Sequence, residues 1–307
     1  MLPERESPLQ QLSGPATIRL YLKRDDLLHP QVSGNKWRKL KYNLIAARQQ
    51  QHDTLLTFGG AYSNHLFATA AAGQLAGFST IGIVRGEDHR ERDSPTLAFA
   101  RSCGMHLHFV SRADYRRKDL SEFITQLASQ FGRFYCLPEG GSNHLAVQGV
   151  AEVISEIEQQ LGRVPDYVCC PVGTGGTLAG LAAGASEPTQ VLGFSALKGG
   201  GFLTDDVQKL LNAADLAKPF RLLTDYHFGG YAKTTPELIA FILDFEQQTG
   251  VLIEQVYTGK MLYGILDLAR RGYFPDGATV VAIHTGGLQG RSKALRCPSE
   301  PSGDFRE

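Results

Sequence analysis

At 307 residues and 33.5 kDa, the chain is long enough for one large or two moderate domains, and its 42% hydrophobic and 20% charged residues are those of a globular protein with a real core. Lys+Arg and Asp+Glu both number 31, and this zero net charge argues against a basic nucleic-acid binder or a polybasic membrane anchor. There is no long apolar run and no secretory pattern in MLPERESPLQ, and the five scattered cysteines lack C-x-x-C spacing, so a cytoplasmic protein with reduced thiols is expected, with no membrane or nucleic-acid partner.

The chain then reads as strand, glycine turn and helix, repeated. TIRLYLKRDD (17–26) alternates like a strand, and WRKLKYNLIAARQQ (37–50) spaces Trp37, Leu40, Leu44 and Ala47 as a helix does. TLLTFGG (54–60) is a short buried strand, followed by the Ala-rich helix HLFATAAAGQLAG (65–77). STIGIVRG (79–86) with SPTLAFARSCG (94–104), and MHLHFV (105–110) with LSEFITQLASQFG (120–132), repeat the unit. Farther on come the strand DYVCCPVG (166–173), the turn GTGGT (173–177), the helix LAGLAAGA (178–185) and the strand VLGFSAL (191–197). The helix ELIAFILDFEQQTG (237–250) carries a Gly stop, and ATVVAIHTGG (278–287) is a late strand. The polar tail after Gly290 is expected to be loose. This alternation predicts an α/β protein of two domains, each a mainly parallel twisted sheet covered by helices. The expected boundaries lie near Lys41 and Gly149, with 1–40 and 150–307 forming a large domain and 41–149 a small one.

Four segments carry chemistry. Lys36, in Ser33-Gly34-Asn35-Lys36, stands at a helix mouth, where the positive end lowers an amine's pKa and favours a Schiff base with a carbonyl. The plain alternative is a solvated helix-start lysine, capped by Asn35 or Ser33. Gly173, Thr174, Gly175, Gly176 and Thr177 form a turn between a strand and a small-residue helix, an anion nest suited to a phosphate. That turn lacks the lysine of a nucleoside-triphosphate loop and misses the dinucleotide spacing. Ser63 and Asn64, in Gly59-Gly60-Ala61-Tyr62-Ser63-Asn64-His65, present donors at another helix start, for a carboxylate or a phenolate-type oxygen, or simply cap that helix. Tyr257-Thr258-Gly259-Lys260 and Tyr231 place aromatics beside glycines, as a pocket wall or as ordinary packing. His106 and His108 share a strand face without a third ligand at metal spacing, so no metal site is expected.

SGNKWRKL, TFGGAYSNH, LPEGGSNHLA, VGTGGTLAGL, VYTGK and HTGG follow one another over nearly the whole chain. Together they resemble the D-cysteine desulfhydrase and 1-aminocyclopropane-1-carboxylate deaminase family, pyridoxal-phosphate enzymes of the tryptophan-synthase-β-like fold type II. The resemblance implies pyridoxal 5'-phosphate as cofactor, bound by the large domain, a small amino-acid substrate and a homodimer. It implies that Lys36 carries the cofactor and later moves a proton, that Asn64 meets the 3'-oxygen, that Gly173 to Thr177 hold the phosphate, and that Thr258 partners the ring nitrogen. Ser63, Asn64 and His65 would contact substrate, with Ser63 on its carboxylate, and Tyr231 and Tyr257 would flank it. This chain departs from the family at Tyr62, where Gln is frequent, and in the short stretch EDHRERDSP (87–95).

The leading reading is β-elimination from D-cysteine or a related β-substituted D-amino acid, giving pyruvate, ammonia and sulfide. The alternative within the family opens 1-aminocyclopropane-1-carboxylate to 2-oxobutyrate and ammonia. An alternative of another class is a non-catalytic pyridoxal-phosphate-holding protein, against which Ser63, Asn64, Tyr231 and Tyr257 all argue. Thr258 favours the elimination: the ring-opening members carry Glu there, whereas a hydroxyl suits a reaction with a good leaving group.

Overall fold

The computed structural model describes residues 5–87 and 93–295. Residues 88–92 of the short 87–95 stretch, and Cys297 with the rest of the tail, lie outside the described residues. The six-stranded sheet runs in the order β1-β2-β10-β7-β8-β9, from β1 (Leu9–Leu12), β2 (Ile18–Lys23), β7 (Tyr167–Val172), β8 (Gln190–Ser195), β9 (Arg221–Leu223) and β10 (Ala278–Ile283). Only its β1–β2 pair is antiparallel. The four-stranded sheet is parallel throughout, in the order β5-β4-β3-β6, from β3 (Thr54–Gly60), β4 (Ser79–Arg85), β5 (His106–Val110) and β6 (Tyr135–Cys136).

The helices are α1 (Asn35–Gln49), α2 (Asn64–Ala76), α3 (Pro95–Ser102), α4 (Arg112–Tyr115), α5 (Ser121–Phe131), α6 (His144–Leu161), α7 (Gly176–Gly184), α8 (Leu203–Asn212), α9 (Pro236–Thr249) and α10 (Thr258–Arg270). Every residue of β7 and β10 is buried, because both faces of their sheet are covered. Ile242 of α9 with Met261 and Ile265 of α10 pack on one face, and Val150, Leu178 and Val207 of α6, α7 and α8 on the other. The two-sheet α/β architecture is the one the strand–helix alternation predicts.

Several elements have no counterpart in the sequence reading. Helix α6 shows helical spacing at Val147, Val150, Val153, Ile154 and Ile157, and Asn143 caps it by accepting from Ala146 N at 2.9 Å. The boundaries expected near Lys41 and Gly149 fall inside α1 and α6, and these two helices touch: a Cβ on Gly149 would lie 2.2 Å from Arg38 O. The VYTGK segment begins α10. The strand expected over 17–26 stops at Lys23, where Asp25 and Asp26 turn inward and are buried. The tail from 291 to 295 is not loose: Arg291 and Leu295 are buried, and Arg291 binds Glu246 and the carbonyls of Ile253 and Leu295.

A buried ionic cluster holds α1 against the larger sheet. Lys23 lies 2.8 Å from Glu156, and Arg38 bridges Asp25 at 3.0 Å and Glu156 at 2.8 Å. Ser7 donates to Asp25 at 2.6 Å. Each charge therefore meets an opposite charge or a hydrogen bond, as burial demands.

Candidate active site

Helix α1 starts at Asn35, one residue earlier than an Asn35 cap and one later than a Ser33 cap would place it. Its N-cap is Gly34 at φ 64°, with no side-chain cap bond, so neither Ser33 nor Asn35 caps it. A Cβ on Gly34 would lie 1.9 Å from Thr285 O, so glycine alone lets the helix mouth meet the 284–287 loop. Lys36 therefore sits in the first turn, and its Nζ donates to Gly140 O at 3.2 Å. Loss of hydration lowers its amine to about 8. Lys39, on the same face one turn on, donates to Gly140 O at 3.2 Å and Ser142 Oγ at 3.0 Å. Burial, then the Lys36 charge, hold its amine well below the usual lysine range. Neither lysine has an ion-pair partner among the described residues.

These amines face the turn between β7 and α7. A Cβ on Gly176 would lie 2.5 Å from Ser142 Oγ and 2.9 Å from Lys39 Nζ. Helix α7 begins after Gly175 with no side chain capping its first N–H groups. Asn35 donates to Thr177 Oγ1 at 2.8 Å, and the Ser142 and Thr174 hydroxyls are bonded at 2.7 Å. Gly173 closes the turn against Tyr257, whose phenol oxygen would lie 3.0 Å from a Cβ there. Uncapped N–H groups, hydroxyls and two lysines without counterions converge on one place, which suits a dianion.

At the start of α2, Ser63 Oγ accepts from His65 N at 3.2 Å and Leu66 N at 3.3 Å. Asn64 Oδ1 accepts from Gln289 Nε2 at 2.9 Å, which ties it to the loop after β10. At the start of α10, Thr258 is wholly buried and its Oγ1 has no hydrogen-bond partner among the described residues. Glu254 supports that turn: its carboxylate accepts from Tyr257 N at 2.9 Å, Thr258 N at 2.6 Å and Val256 N at 2.5 Å. Burial raises the Glu254 pKa, and these N–H groups oppose the rise. The rings of Tyr231 and Tyr257 meet edge-on at 6.0 Å. Burial, then Tyr231, hold the Tyr257 phenol well above its ordinary value. Lys260 lies below them and donates to His227 O at 2.9 Å and Gly230 O at 2.8 Å, which fixes the loop that leads to Tyr231.

Residues 1–286 match the family described as pyridoxal-phosphate dependent enzyme. The chain belongs to that family. It is similar, at 32% identity over 300 residues, to a putative 1-aminocyclopropane-1-carboxylate deaminase of Pyrococcus furiosus, with 93% of this chain and 90% of that protein covered. It is 33% identical over 299 residues to the mitochondrial bifunctional D-cysteine desulfhydrase/1-aminocyclopropane-1-carboxylate deaminase of Arabidopsis thaliana, covering 90% of this chain and 74% of that relative. Its fold superposes on the crystal structure of an ACC deaminase homologue with a TM-score of 0.83 at 31% identity, covering 94% and 92% of the two chains. The cofactor is pyridoxal 5'-phosphate.

The residues of this pyridoxal-phosphate-dependent enzyme fit that cofactor. The anion nest with Lys39 suits the phosphate, the lowered Lys36 amine suits the aldehyde, and the Thr258 hydroxyl, without a partner among the described residues, suits a ring nitrogen. Lys36, the 173–177 turn, Tyr257 and Thr258 are brought together. Ser63 and Asn64 reach the site from the smaller sheet, through the Asn64–Gln289 bond. His65 points elsewhere. Its Nε2 lies 2.8 Å from Thr57 Oγ1 and its Nδ1 3.5 Å from Thr69 Oγ1, and its ring supports Gly141. Burial, then the charges of Lys36 and Lys39, lower its pKa well below the usual imidazole value, so the ring is a neutral brace. The sequence reading missed Lys39, Gly140 and Glu254. Three-residue spacing from Lys36 was the available signal for Lys39, but nothing local marks the Gly140 carbonyl as its acceptor.

Proposed function

We propose that the protein is a lyase that removes the β-substituent of D-cysteine, or of a related β-substituted D-amino acid. D-cysteine and one water would yield pyruvate, ammonia and hydrogen sulfide. The observation that carries this reading is Thr258: the side chain buried at the start of α10 without a hydrogen-bond partner among the described residues is a hydroxyl, while the nearby Glu254 carboxylate is taken up by the N–H groups of 256–258. A hydroxyl leaves the ring less protonated than a carboxylate does, which suits a leaving group that departs as soon as the α-proton is gone. A thiol meets that demand, and a strained carbon does not.

When bound, pyridoxal phosphate draws electrons from the substrate Cα, so that the α-proton can be removed and the Cβ–S bond broken. Lys36 is the attachment point, and its amine, lowered to about 8, is the base for the α-proton. Gly173, Thr174, Gly175, Gly176 and Thr177 hold the phosphate, with the Lys39 amine as a further hydrogen-bond donor. Asn64 holds the 3'-oxygen side. Ser63, at the N-terminus of α2, orients the substrate carboxylate. Tyr257 keeps its phenolic proton well above neutral pH and, with Tyr231, offers a hydrogen bond to the departing sulfur.

We also infer that residues 41–149, which hold the whole four-stranded sheet, form the small domain, and that the enzyme works as a homodimer in the cytoplasm. No helix among the described residues is long and apolar enough to cross a membrane. The deciding experiment assays purified holoenzyme side by side on D-cysteine, L-cysteine, β-chloro-D-alanine and 1-aminocyclopropane-1-carboxylate. Pyruvate from D-cysteine or β-chloro-D-alanine is expected, with little 2-oxobutyrate from the cyclopropane substrate. Faster ring opening than elimination would overturn the reading, and cofactor binding without any turnover would favour a pyridoxal-phosphate-holding protein.

A further inference from the structure

The HTGG segment touches the helix mouth that carries Lys36, yet its histidine has no assigned work. His284 is wholly buried just after β10, and its backbone N–H donates to Lys23 O at 3.0 Å. Its ring spans two loops: Nε2 lies 2.8 Å from Leu252 O, and Nδ1 lies 3.2 Å from Gly286 N. A carbonyl can only accept and a backbone N–H can only donate, so Nε2 carries the ring's hydrogen and Nδ1 is bare. The charges around the ring leave it neutral. Asp26 Oδ1 stands 3.8 Å from Nδ1, but Arg24 already holds that carboxylate at 2.9 and 2.8 Å. Asp25 is matched by Arg38, and Glu254 is taken up by the N–H groups of 256–258. Burial lowers the imidazole pKa, Asp26 and Asp25 oppose the fall, and Arg24 adds to it.

The loop that this ring holds meets both sides of the site. Thr285 O is the atom against which Gly34, the N-cap of α1, packs. A Cβ on Gly286 would lie 2.5 Å from Ser33 Oγ and 3.1 Å from Gly34 N, and one on Gly287 would lie 2.9 Å from Asn64 Nδ2. The Gly286 N–H is on a buried residue, so it needs the acceptor that Nδ1 provides. We propose that His284 is a positioning residue for cofactor capture: by accepting from Gly286 at Nδ1, it sets the 285–287 loop against the α1 mouth and Asn64, and so fixes where Lys36 stands. The inference rests on the proposed role of Lys36 as the attachment point.

Three substitutions separate the acceptor at Nδ1 from the bulk of the ring. An asparagine carbonyl reaches the Nδ1 position, a glutamine amide reaches only the Nε2 position, and leucine fills the space with no polar atom. Titrated with pyridoxal phosphate, the His284→Asn apoprotein should bind within about threefold of wild type, whereas His284→Gln and His284→Leu should bind about tenfold or more weakly, the scale of one buried N–H left without a partner. Amide exchange of the apoproteins, read by mass spectrometry over residues 284–287, should quicken in His284→Gln and His284→Leu and stay near wild type in His284→Asn. Nitrogen-15 spectra of the wild-type ring at neutral pH, assigned by the signal lost in His284→Asn, should show Nε2 protonated and Nδ1 bare, and this arm stands even if the other variants do not fold. A ring protonated on Nδ1, equal affinities in all three variants, or quickened exchange with wild-type cofactor affinity would refute the proposal. If the exchange and affinity losses appear but borohydride fixes the cofactor on a lysine other than Lys36, the Lys36 reading fails while the hold of His284 on its loop is upheld.

Discussion

Lys36 and Lys39 lie on one helical face, share the Gly140 carbonyl and form no ion pair among the described residues, so burial lowers both amines and the Lys36 charge lowers Lys39 further. The neutral amine is the nucleophile toward an aldehyde, and its fraction rises with pH until the pKa is passed. Covalent capture of pyridoxal phosphate by the apoprotein should therefore quicken as pH rises from 6 and level off above about 8, the value to which burial brings Lys36. Stopped-flow absorbance checks this, and a rate still climbing tenfold per unit above pH 9 would contradict it. Borohydride reduction followed by peptide mapping should place the label on Lys36, and Lys36→Ala should lose both label and turnover. Lys260 also has its amine lowered to about 8 by burial, but both backbone carbonyls it holds lie in the Tyr231 loop. A label on Lys260 would sink the assignment.

The 173–177 turn was legible because everything that makes it a nest is local: a buried strand, small residues and an uncapped helix. Gly175 has φ 80°, and a Cβ there would lie 2.7 Å from Val207 Cγ2. Gly175→Asp adds left-handed strain of ~1–2 kcal/mol and sets a carboxylate beside a dianion. The expected result is a protein with native circular dichroism, a modestly lower melting temperature and no measurable cofactor binding. Wild-type cofactor titration in that variant would move the phosphate elsewhere. The first turn of α10 was only partly legible: Thr258 was singled out, but the helix was not, because its cap is the Glu254 carboxylate reaching forward from a loop. Thr258→Glu places a second carboxylate at the nitrogen end. It should slow elimination from D-cysteine by about tenfold or more and raise the share of side products from longer-lived carbanions, read by product chromatography. Unchanged partitioning would show that the residue at 258 does not govern the reaction.

Across the whole molecule, α1 links the two sheets. It carries Lys36 at its mouth, packs on α6 and is pinned beneath by Arg38, Asp25, Lys23 and Glu156. Removing one member of a buried ionic cluster leaves the others uncompensated, which costs ~3–5 kcal/mol. Glu156→Gln should lower the denaturant midpoint by a corresponding amount and weaken cofactor binding as α1 loosens. Equilibrium denaturation checks the first, and a change below ~1 kcal/mol would mean that the cluster is not what holds α1.

The sequence by itself determined the α/β class and most strands and helices, and it singled out the 173–177 turn as a candidate nest, because each is encoded within a few neighbouring residues as a pattern of burial or a glycine turn, whereas Lys36 was singled out by the family resemblance of its segment. It did not reveal α6 as the helix that meets α1, the packed 291–295 tail, or the neutral bracing role of His65. Those depend on residues brought together from far apart: Gly140 lies 104 positions from Lys36, and Thr177 lies 142 from Asn35. Tertiary structure also decided the chemistry of the lysines. An amine's pKa follows from its lost hydration and its nearest charges, and both are properties of the packed interior.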